Sequence, residues 1–210
     1  MARSPDGRRA PLDFRAVRPN HAPMEADDLG VVPAQAADVP GVIDLIARVF
    51  AEYRFAWDPL TEVPDLLAFD RHYLGPRGAF FVVRRKGRVV GSVGVERGAG
   101  ATAELHRLYL DADLRGQGRG RALVEAVLGW CRASRIGHLV LWSDTRFDQA
   151  HALYERMGFR RTGARDLPDD PNQTREYRYE RPVDPAVEAP GGPGATGPSG
   201  RPLRSPRPGA

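Results

Sequence analysis

Cysteine is almost absent from this chain of 210 residues, and Cys131 is the single one. One cysteine excludes an intramolecular disulfide and any metal site built from several cysteines. Because Cys131 falls on the apolar side of a predicted helix, we expect it to be a core residue and not a nucleophile. No run of about 18 apolar residues occurs, so the sequence predicts no membrane-spanning helix. The first residues also lack the apolar stretch of a secretory signal, and we expect a cytoplasmic protein.

Lysine is equally scarce, because Lys86 is the only one and arginine supplies the remaining positive side chains. The formal net charge is +4, but the basic residues are scattered among nearly as many acidic ones. Interleaved aromatic and basic side chains, which are typical of proteins that bind single strands, do not occur. We therefore expect neither nucleic acid nor a membrane as a partner.

Both ends of the chain lack the regularly spaced apolar residues that a core requires. Residues 1–28 mix Pro, Arg and Asp without periodicity, and residues 184–210 are dominated by Pro, Gly, Ala and Arg. We predict a disordered tail at each end and one domain over residues 29–183. A domain of that length has enough interior to fold without disulfides or metal ions.

Hydrophobic spacing predicts a domain in which helices and strands are mixed, of the α+β class. The predicted strands are 29–33, 80–83, 89–95, 103–110, 138–142, 160–163 and 175–181, and the predicted helices are 39–53, 62–73, 121–135 and 147–157. The turn at Lys86-Gly87 joins two strands of an antiparallel meander. Because a helix separates strands 103–110 and 138–142, we expect these two to pair in parallel.

The stretch 105–120, LHRLYLDADLRGQGRG, joins a predicted strand to a predicted helix through three glycines. Glycines let backbone N–H groups approach an anion, and the start of a helix adds unpaired N–H groups and partial positive charge. A Walker loop would end in Gly-Lys-Ser/Thr, which does not occur here. A dinucleotide fingerprint needs G-x-G-x-x-G, whereas Gly116, Gly118 and Gly120 are spaced by two throughout.

A third interpretation fits both this loop and a second segment. Arg115, Gly118 and Gly120 form the pattern R-x-x-G-x-G after a strand, and residues 150–159, AHALYERMGF, follow A-x-x-L-Y-x-x-x-G-F. In this order and in these predicted elements, the two motifs resemble the GNAT superfamily of acyl-CoA-dependent N-acetyltransferases. The resemblance spans residues 29–183. It implies a central mixed, mostly antiparallel sheet with one splayed parallel strand pair, flanked by helices.

The resemblance also implies acetyl-CoA as a co-substrate. In the family, the strand before the loop splays from its parallel neighbour and binds the pantetheine arm through its backbone, while amides of the loop bind the pyrophosphate. The residues that would hold the cofactor here are Leu108, Tyr109, Leu110, Arg115, Gly116, Gln117, Gly118, Arg119, Gly120 and Arg121. No metal site is expected, because the histidines and the single cysteine show no ligand spacing.

Three residues are candidates for the acid and the base. Tyr154 corresponds to the tyrosine that protonates the departing CoA thiolate in many family members, and its alternative role is to pack the helix. Glu104 precedes Arg115 by eleven residues, as the base glutamate does in the histone-acetylating branch, and its alternative is an ordinary surface acid. His106 shares a face with Glu104 in a regular strand and is a rival base, although a bulge would alter that parity.

One position departs from the family pattern, because many members carry Asn three residues before the Ala of the second motif and this chain has Phe147. The acceptor half is the part that varies within the family. Here it comprises residues 48–70 and the polar loop 166–174, and its candidate lining residues are Tyr53, Asp58, Asp70, Asp144, Arg146, Asp169 and Asn172. Their acids favour an amine-bearing small molecule over an acidic peptide.

The function implied by the resemblance is transfer of an acetyl group from acetyl-CoA to a primary amine of a small molecule or peptide. The amine would attack directly within a ternary complex, so no covalent enzyme intermediate is required. A non-catalytic acyl-CoA-binding or partner-binding module with the same fold is the alternative. The expected partners are acetyl-CoA and the amine acceptor, and a homodimer is one assembly to consider.

Overall fold

The computed structural model describes residues 29–183, and the predicted tails, residues 1–28 and 184–210, lie outside the described residues. The strands are β1 (Val31–Pro33), β2 (Gly78–Arg85), β3 (Arg88–Arg97), β4 (Thr102–Leu110), β5 (His138–Asp144), β6 (Arg160–Asp166) and β7 (Arg175–Pro182). The α-helices are α1 (Val39–Tyr53), α2 (Pro59–Glu62), α3 (Pro64–Leu67), α4 (Phe69–Tyr73), α5 (Arg119–Ala133) and α6 (Asp148–Arg156). Short 3-10 helices precede α1 and α5, at Ala36–Asp38 and Ala112–Leu114.

All the described strands form one sheet in the order β1-β2-β3-β4-β5-β7-β6. Neighbouring strands are antiparallel except β4 and β5, which are parallel. The parallel pairing follows from the connection, because α5 carries the chain back along the sheet between the two strands. The predicted fold class, a mixed and mostly antiparallel sheet with one parallel pair and flanking helices, is confirmed.

Two apolar clusters cover the sheet. One contains the buried face of α1, including Leu45 and Ile46, with Val82 of β2. The other contains α5, where Leu123, Val127 and Cys131 recur every four residues and therefore form one buried stripe. Burial raises the pKa of the Cys131 thiol to about 11, so the thiol stays protonated near neutrality, as expected of a core residue. Among the described helices, none is long and apolar enough to cross a membrane.

The region after α1 differs from the sequence prediction. The spacing predicts one helix over residues 62–73, whereas the structure has the three short helices α2, α3 and α4. Pro64 has no N–H to continue a preceding helix, and it starts α3 instead. Ala68 ends α3 in a non-helical conformation (φ −116°, ψ 38°). Phe69 and Tyr73 are still buried, so the apolar spacing is satisfied by three turns that pack separately. The other boundaries agree within three residues.

The parallel strands β4 and β5 pair only near their beginnings. Pairing ends at Leu105 opposite Leu141, although β4 continues to Leu110 and β5 continues to Asp144. The two strands therefore diverge towards their carboxyl ends and leave a gap in the sheet. The loop that leads into α5 follows directly from this end of β4.

A bulge in β4 lies beside the gap. The register with β3 shifts between Ser92 and Gly94, and Arg107 adopts a left-handed conformation (φ 55°) that is unfavourable for a non-glycine residue. Two sets of contacts hold this conformation. The hydroxyl of buried Ser92 donates to the Arg107 carbonyl (2.9 Å), and the Arg107 guanidinium donates to both carboxylate oxygens of Asp65 (3.1 and 2.5 Å). The Tyr73 hydroxyl donates to the same carboxylate.

Candidate active site

A cleft of about 1080 Å³ follows the gap between β4 and β5. At one end it is lined by Gly116 and Gly118 of the loop before α5, and at the other by Asp170 and Asn172 of the loop between β6 and β7. Its volume is at the upper end of the range for ligand pockets, about 300–1,000 Å³, which suits an extended ligand. The cleft thus joins the predicted cofactor half to the predicted acceptor half.

The glycine-rich end of the cleft has the geometry of an anion site. Gly118 is the N-terminal cap of α5 with φ 78° and ψ −4°, and Gly116 has φ 74°. A side chain at either position would meet no atom within 4 Å, so the left-handed backbone, and not crowding, requires glycine. The first helical hydrogen bond runs from Ala122 to Gly118 (3.0 Å). The amides of residues 119–121 therefore have no partner within the helix.

Gly120 is required for a different reason. A Cβ atom there would lie 3.1 Å from Cδ2 of Leu153 on α6, which is tighter than ordinary packing. The glycine lets the first turn of α5 approach α6 closely. The sequence motif therefore combines a backbone requirement at Gly118 with a packing requirement at Gly120.

Most of the predicted cofactor residues line the cleft, namely Leu108, Tyr109, Leu110, Arg115, Gly116, Gly118, Gly120 and Arg121. Gln117 and Arg119 are not among the lining residues. The side chain of Gln117 donates to the Asp113 carbonyl (2.6 Å), and that of Arg119 donates to the Leu29 carbonyl (3.2 Å). Of the two arginines considered for charge at the pyrophosphate, Arg115 is the one that lines the cleft.

Arg115 is held at the rim of the cleft by two contacts. Its Nε donates to the Leu110 carbonyl (3.0 Å), and Nη1 lies 2.8 Å from Oε2 of Glu52 on α1. An ion pair this exposed adds little to stability. The two contacts instead orient the Arg115 guanidinium and hold it where β4 ends and the glycine loop begins.

Tyr154 lies on the wall of the cleft with only 4 % of its surface exposed. Its ring packs against Phe159 (5.7 Å between centroids) and Tyr179 (5.6 Å). Burial raises the pKa of the Tyr154 hydroxyl above its ordinary value, and Tyr109 and Tyr179 add to the effect. Within residues 29–183 the hydroxyl makes no hydrogen bond. It is therefore a neutral donor, and both suggested roles, packing and proton donation, are compatible with its position.

The two candidate bases lie together in the cleft. Nδ1 of His106 is 3.9 Å from Oε1 of Glu104. Both side chains leave the same face of β4, because the bulge at Arg107 comes after them and does not interrupt the alternation. Burial lowers the pKa of His106, although the charges of Glu104 and Glu96 oppose the change. The imidazole is therefore largely neutral near pH 7 and able to accept a proton.

The acceptor end contains residues that the sequence predicted and others that it missed. Of the predicted set, Tyr53, Asp144 and Asn172 line the cleft, while Asp58, Asp70, Arg146 and Asp169 do not. Missed residues in the lining include Glu62, Arg107 and Asp170. Burial raises the pKa of Glu62, and the nearby charge of Asp170 adds to the effect. Asp170 belongs to a loop that the sequence marked as variable, but nothing local singles out Glu62 or Arg107.

The β6–β7 loop and the segment after α1 contact each other at the acceptor end of the cleft. The Asn172 side chain accepts from the Ala56 amide (2.6 Å) and donates to the Ala56 carbonyl (3.2 Å), which ties the β6–β7 loop to the segment after α1. The Arg146 guanidinium lies 4.0 Å above the ring of Phe55 in that segment. These contacts therefore join the β6–β7 loop and Arg146 to the segment after α1 at the acceptor end.

Phe147, the residue that departs from the family pattern, packs in the same region. Its ring packs edge-on against Tyr53 (4.8 Å between centroids) and more loosely against Phe55 (6.0 Å). An aromatic ring thus lies where the family pattern has a polar side chain. Within residues 29–183, no group of three or more His, Cys, Asp or Glu side chains is arranged to hold a metal ion.

Comparison with known proteins agrees with this geometry. Residues 44–159 match the family described as Acetyltransferase (GNAT) family. Because that match spans more than half of the chain, the protein belongs to the GNAT acetyltransferase family. Members of this family use acetyl-CoA as a co-substrate and act on an amine acceptor.

Relatives of known activity match about half of the chain. N-acetylaspartate synthetase of Danio rerio is 34% identical over 113 residues, which are 53% of this chain and 40% of that protein. N-acetyltransferase 8 of Homo sapiens is 34% identical over 110 residues, which are 50% of this chain and 48% of that protein. The matched region thus spans less than half the length of each of these relatives.

Solved structures share the fold over most of the described residues. The GNAT-family acetyltransferase of Staphylococcus aureus Mu50 has a TM-score of 0.66 at 22% identity and covers 74% of this chain and 99% of its own. The ribosomal-protein-S18-alanine N-acetyltransferase of Escherichia coli has a TM-score of 0.59 at 22% identity, with coverages of 75% and 96%. At this identity, the likeness shows the fold alone.

The left-handed backbone at Gly118 predicts a specific loss of cofactor affinity. In Gly118→Val, a β-branched residue disfavours φ 78°, so the loop amides turn away from the anion. We expect calorimetry to show acetyl-CoA binding weakened by about ten-fold or more, which corresponds to about 1.4 kcal/mol.

Gly87 provides the matched control, because it has the same φ of 78°, has open space at its Cβ and lies in the β2–β3 turn away from the cleft. Gly87→Val should lose similar stability and keep its acetyl-CoA affinity. Equal affinities for acetyl-CoA in the Gly118→Val and Gly87→Val proteins would contradict the assignment of the loop.

Proposed function

We propose that the protein transfers an acetyl group from acetyl-CoA to a primary amine of a small molecule or peptide, by direct attack within a ternary complex. The supporting observation is one continuous cleft that is lined both by the glycine loop before α5 and by the β6–β7 loop of the acceptor half. Glu104, His106 and Tyr154 line the same cleft. It therefore contains candidate bases for the amine and a candidate acid for the thiolate.

The cofactor half uses mainly backbone. Beyond Leu105, β4 has no pairing partner on the side of β5, so main-chain groups of residues 108–110 are available to the amides of the pantetheine arm. The pyrophosphate binds the amides of residues 117–121, with Arg115 adding charge. Gln117 and Arg119 contribute through their main-chain N–H groups, because their side chains are bonded elsewhere.

The acceptor amine must lose a proton before it can attack. A lysine-type ammonium has a pKa near 10.4, so the amine enters mostly protonated at neutral pH. Glu104 or His106 takes this proton, directly or through water, and the two remain alternatives because both face the cleft. Main-chain N–H groups near the β4 bulge stabilise negative charge as it develops on the carbonyl oxygen.

The leaving thiolate requires a proton, and Tyr154 supplies it. The raised pKa of its hydroxyl keeps the proton on oxygen until the sulfur becomes basic. CoA thiolate is itself a fair leaving group. Mutation of Tyr154 therefore measures how much its proton adds to the rate. If Tyr154 only packs α6, the thiolate leaves without a proton from this side chain. The alternative function, a non-catalytic acyl-CoA-binding module, would instead release no thiol with any amine.

The acceptor class is proposed from the residues at the acceptor end of the cleft. The name of the zebrafish relative indicates N-acetylation of an α-amino acid. In this chain Glu62 and Asp170 place negative charge at the acceptor end, which favours an amine acceptor less acidic than aspartate. The two hydrogen bonds between Asn172 and Ala56 join the segments on either side of the acceptor end, which favours a small molecule or a slender peptide over the surface of a folded protein.

The reaction as proposed needs no metal ion, nucleic acid or membrane, and we propose a cytoplasmic location for it. A homodimer is compatible with the proposed reaction.

The function is tested by thiol release from acetyl-CoA with a panel of amines, followed by mass spectrometry of the acetylated product. In Tyr154→Phe we expect kcat to fall by about 10²–10⁴-fold, the usual contribution of general acid catalysis, with little change in acetyl-CoA affinity. Tyr177→Phe is the control, because it removes a hydroxyl from a half-buried tyrosine of β7 that lies outside the cleft. Full turnover in Tyr154→Phe would mean that Tyr154 only packs α6.

The two candidate bases are separated by their effects on the pH profile. If Glu104 is the base, Glu104→Gln removes the acidic limb of kcat/KM and His106→Gln leaves it in place. The reverse result transfers the role to His106, whose lowered pKa puts its titration below the ordinary range of histidine. An acidic limb that survives in both single variants would exclude both residues as the base.

A further inference from the structure

Four titratable side chains form a row that leads out of the cleft. Glu104 and His106 line the cleft, whereas Glu96 of β3 and His72 of α4 are not among its lining residues. Oε1 of Glu104 is 3.9 Å from Nδ1 of His106, and Nε2 of His106 is 3.8 Å from Oε2 of Glu96. Oε1 of Glu96 is 2.8 Å from Nδ1 of His72. Carboxylate and imidazole therefore alternate from the lining of the cleft to side chains outside that lining.

The strand register explains why these groups meet. Glu96 pairs directly with Glu104 across the β3–β4 ladder, and Gly94 is the partner of His106. Two carboxylates directly opposite each other in an antiparallel pair are unfavourable unless cations lie near them. His106 lies between Glu104 and Glu96, and His72 caps the outer end. His106 therefore separates the two acids, and Nδ1 of His72 lies in hydrogen-bond contact with the outer one.

The proposed reaction releases one proton in each turnover. An ammonium and a thioester yield an amide, a thiol and one proton, so a proton must leave the site in each turnover. Glu104 and His106 are 38% and 30% exposed in the free protein, but donor and acceptor would cover the sides of both that line the cleft. We infer that Glu96 and His72 are the exit path for this proton: Glu104 or His106 accepts it from the amine, Glu96 receives it, and His72 releases it to solvent. This inference rests on the proposed acetyl transfer.

The distances and exposures fit such a path. The contact between Glu96 and His72 is a direct hydrogen bond, while the separations of 3.8 and 3.9 Å are spanned by one water molecule or a small side-chain rotation. The side chains of His106, Glu96 and His72 are 30%, 27% and 31% exposed, so the outer members reach solvent without opening the cleft.

The charges around His106 favour onward transfer. The groups that act on its imidazole are Glu104 and Arg107 of β4, Glu96 of β3 and Asp65 of α3, and His72 of α4 acts through Glu96. Burial and Arg107 lower the pKa of His106, while the three carboxylates raise it. The net lowering makes the imidazolium a ready donor, and Glu96 is the carboxylate on the side away from Glu104.

The central variant is Glu96→Gln, which keeps the shape of the side chain and removes the proton-accepting carboxylate. We expect kcat to fall by about ten-fold, less than the ~10²–10⁴-fold typical of losing a general base itself, with KM for acetyl-CoA unchanged. Imidazole added to the buffer should restore turnover, because a small base replaces the missing path. His72→Gln should show the same loss and rescue, and the double variant should lose no more than either single one.

Glu180→Gln is the matched control. Glu180 is also a strand carboxylate in an ion pair, 2.6 Å from Arg178, and its exposure of 33% is close to that of Glu96. It lies outside the cleft, so its variant should keep full turnover and should not respond to imidazole. A general effect of removing a sheet carboxylate would appear in both variants.

Three results would overturn the path. Normal kcat in Glu96→Gln would exclude it, and a loss of kcat that imidazole does not restore would give Glu96 a purely structural role. An NMR titration of His106 needs no activity: its pKa should fall in Glu96→Gln, because a neighbouring negative charge is removed, and an unchanged value would show that the two groups are not coupled. If the unaltered protein acetylates no amine, the proposed function fails, and the exit path fails with it.

Discussion

The end of pairing between β4 and β5 is the constraint on which the site depends. A buried strand edge needs partners for its backbone groups, and beyond Leu105 the protein supplies none on the side of β5. The same divergence opens the cleft, exposes main chain to a ligand and leads into the glycine loop. The proposed anion binding at Gly118 and the proposed chemistry at Glu104, His106 and Tyr154 thus both depend on one interruption in the sheet.

A strained bulge maintains this interruption. The left-handed Arg107 would relax without support, because a non-glycine residue there costs about 1–2 kcal/mol. Asp65 binds its guanidinium and Ser92 binds its carbonyl, so the helical layer and the sheet both hold it. Burial alone would raise the pKa of Asp65, but hydrogen bonds and charge from Arg107 together lower it. The support is therefore present at neutral pH and is lost in acid, as the carboxylate becomes protonated.

Features that act over a few residues could be predicted from the sequence, whereas contacts between distant segments could not. The glycines before α5, the turn at Lys86-Gly87 and the helix that separates β4 from β5 each act over a few residues. The division of one predicted helix into α2, α3 and α4 depends on how each turn packs, which the spacing does not show. Asp65 with Arg107, and His72 with Glu96, are joined only after the sheet forms. Their residue types alone look like ordinary surface charge.

The most direct test of the central claim is hydrogen–deuterium exchange with and without acetyl-CoA. Backbone groups that bind a ligand exchange more slowly, so protection should appear in β4 after Leu105 and in residues 116–121. The start of β4, which is already paired with β5, should change little. Protection that is absent from both segments, or that is confined to the β6–β7 loop, would contradict the claim that the interrupted sheet binds the acyl donor.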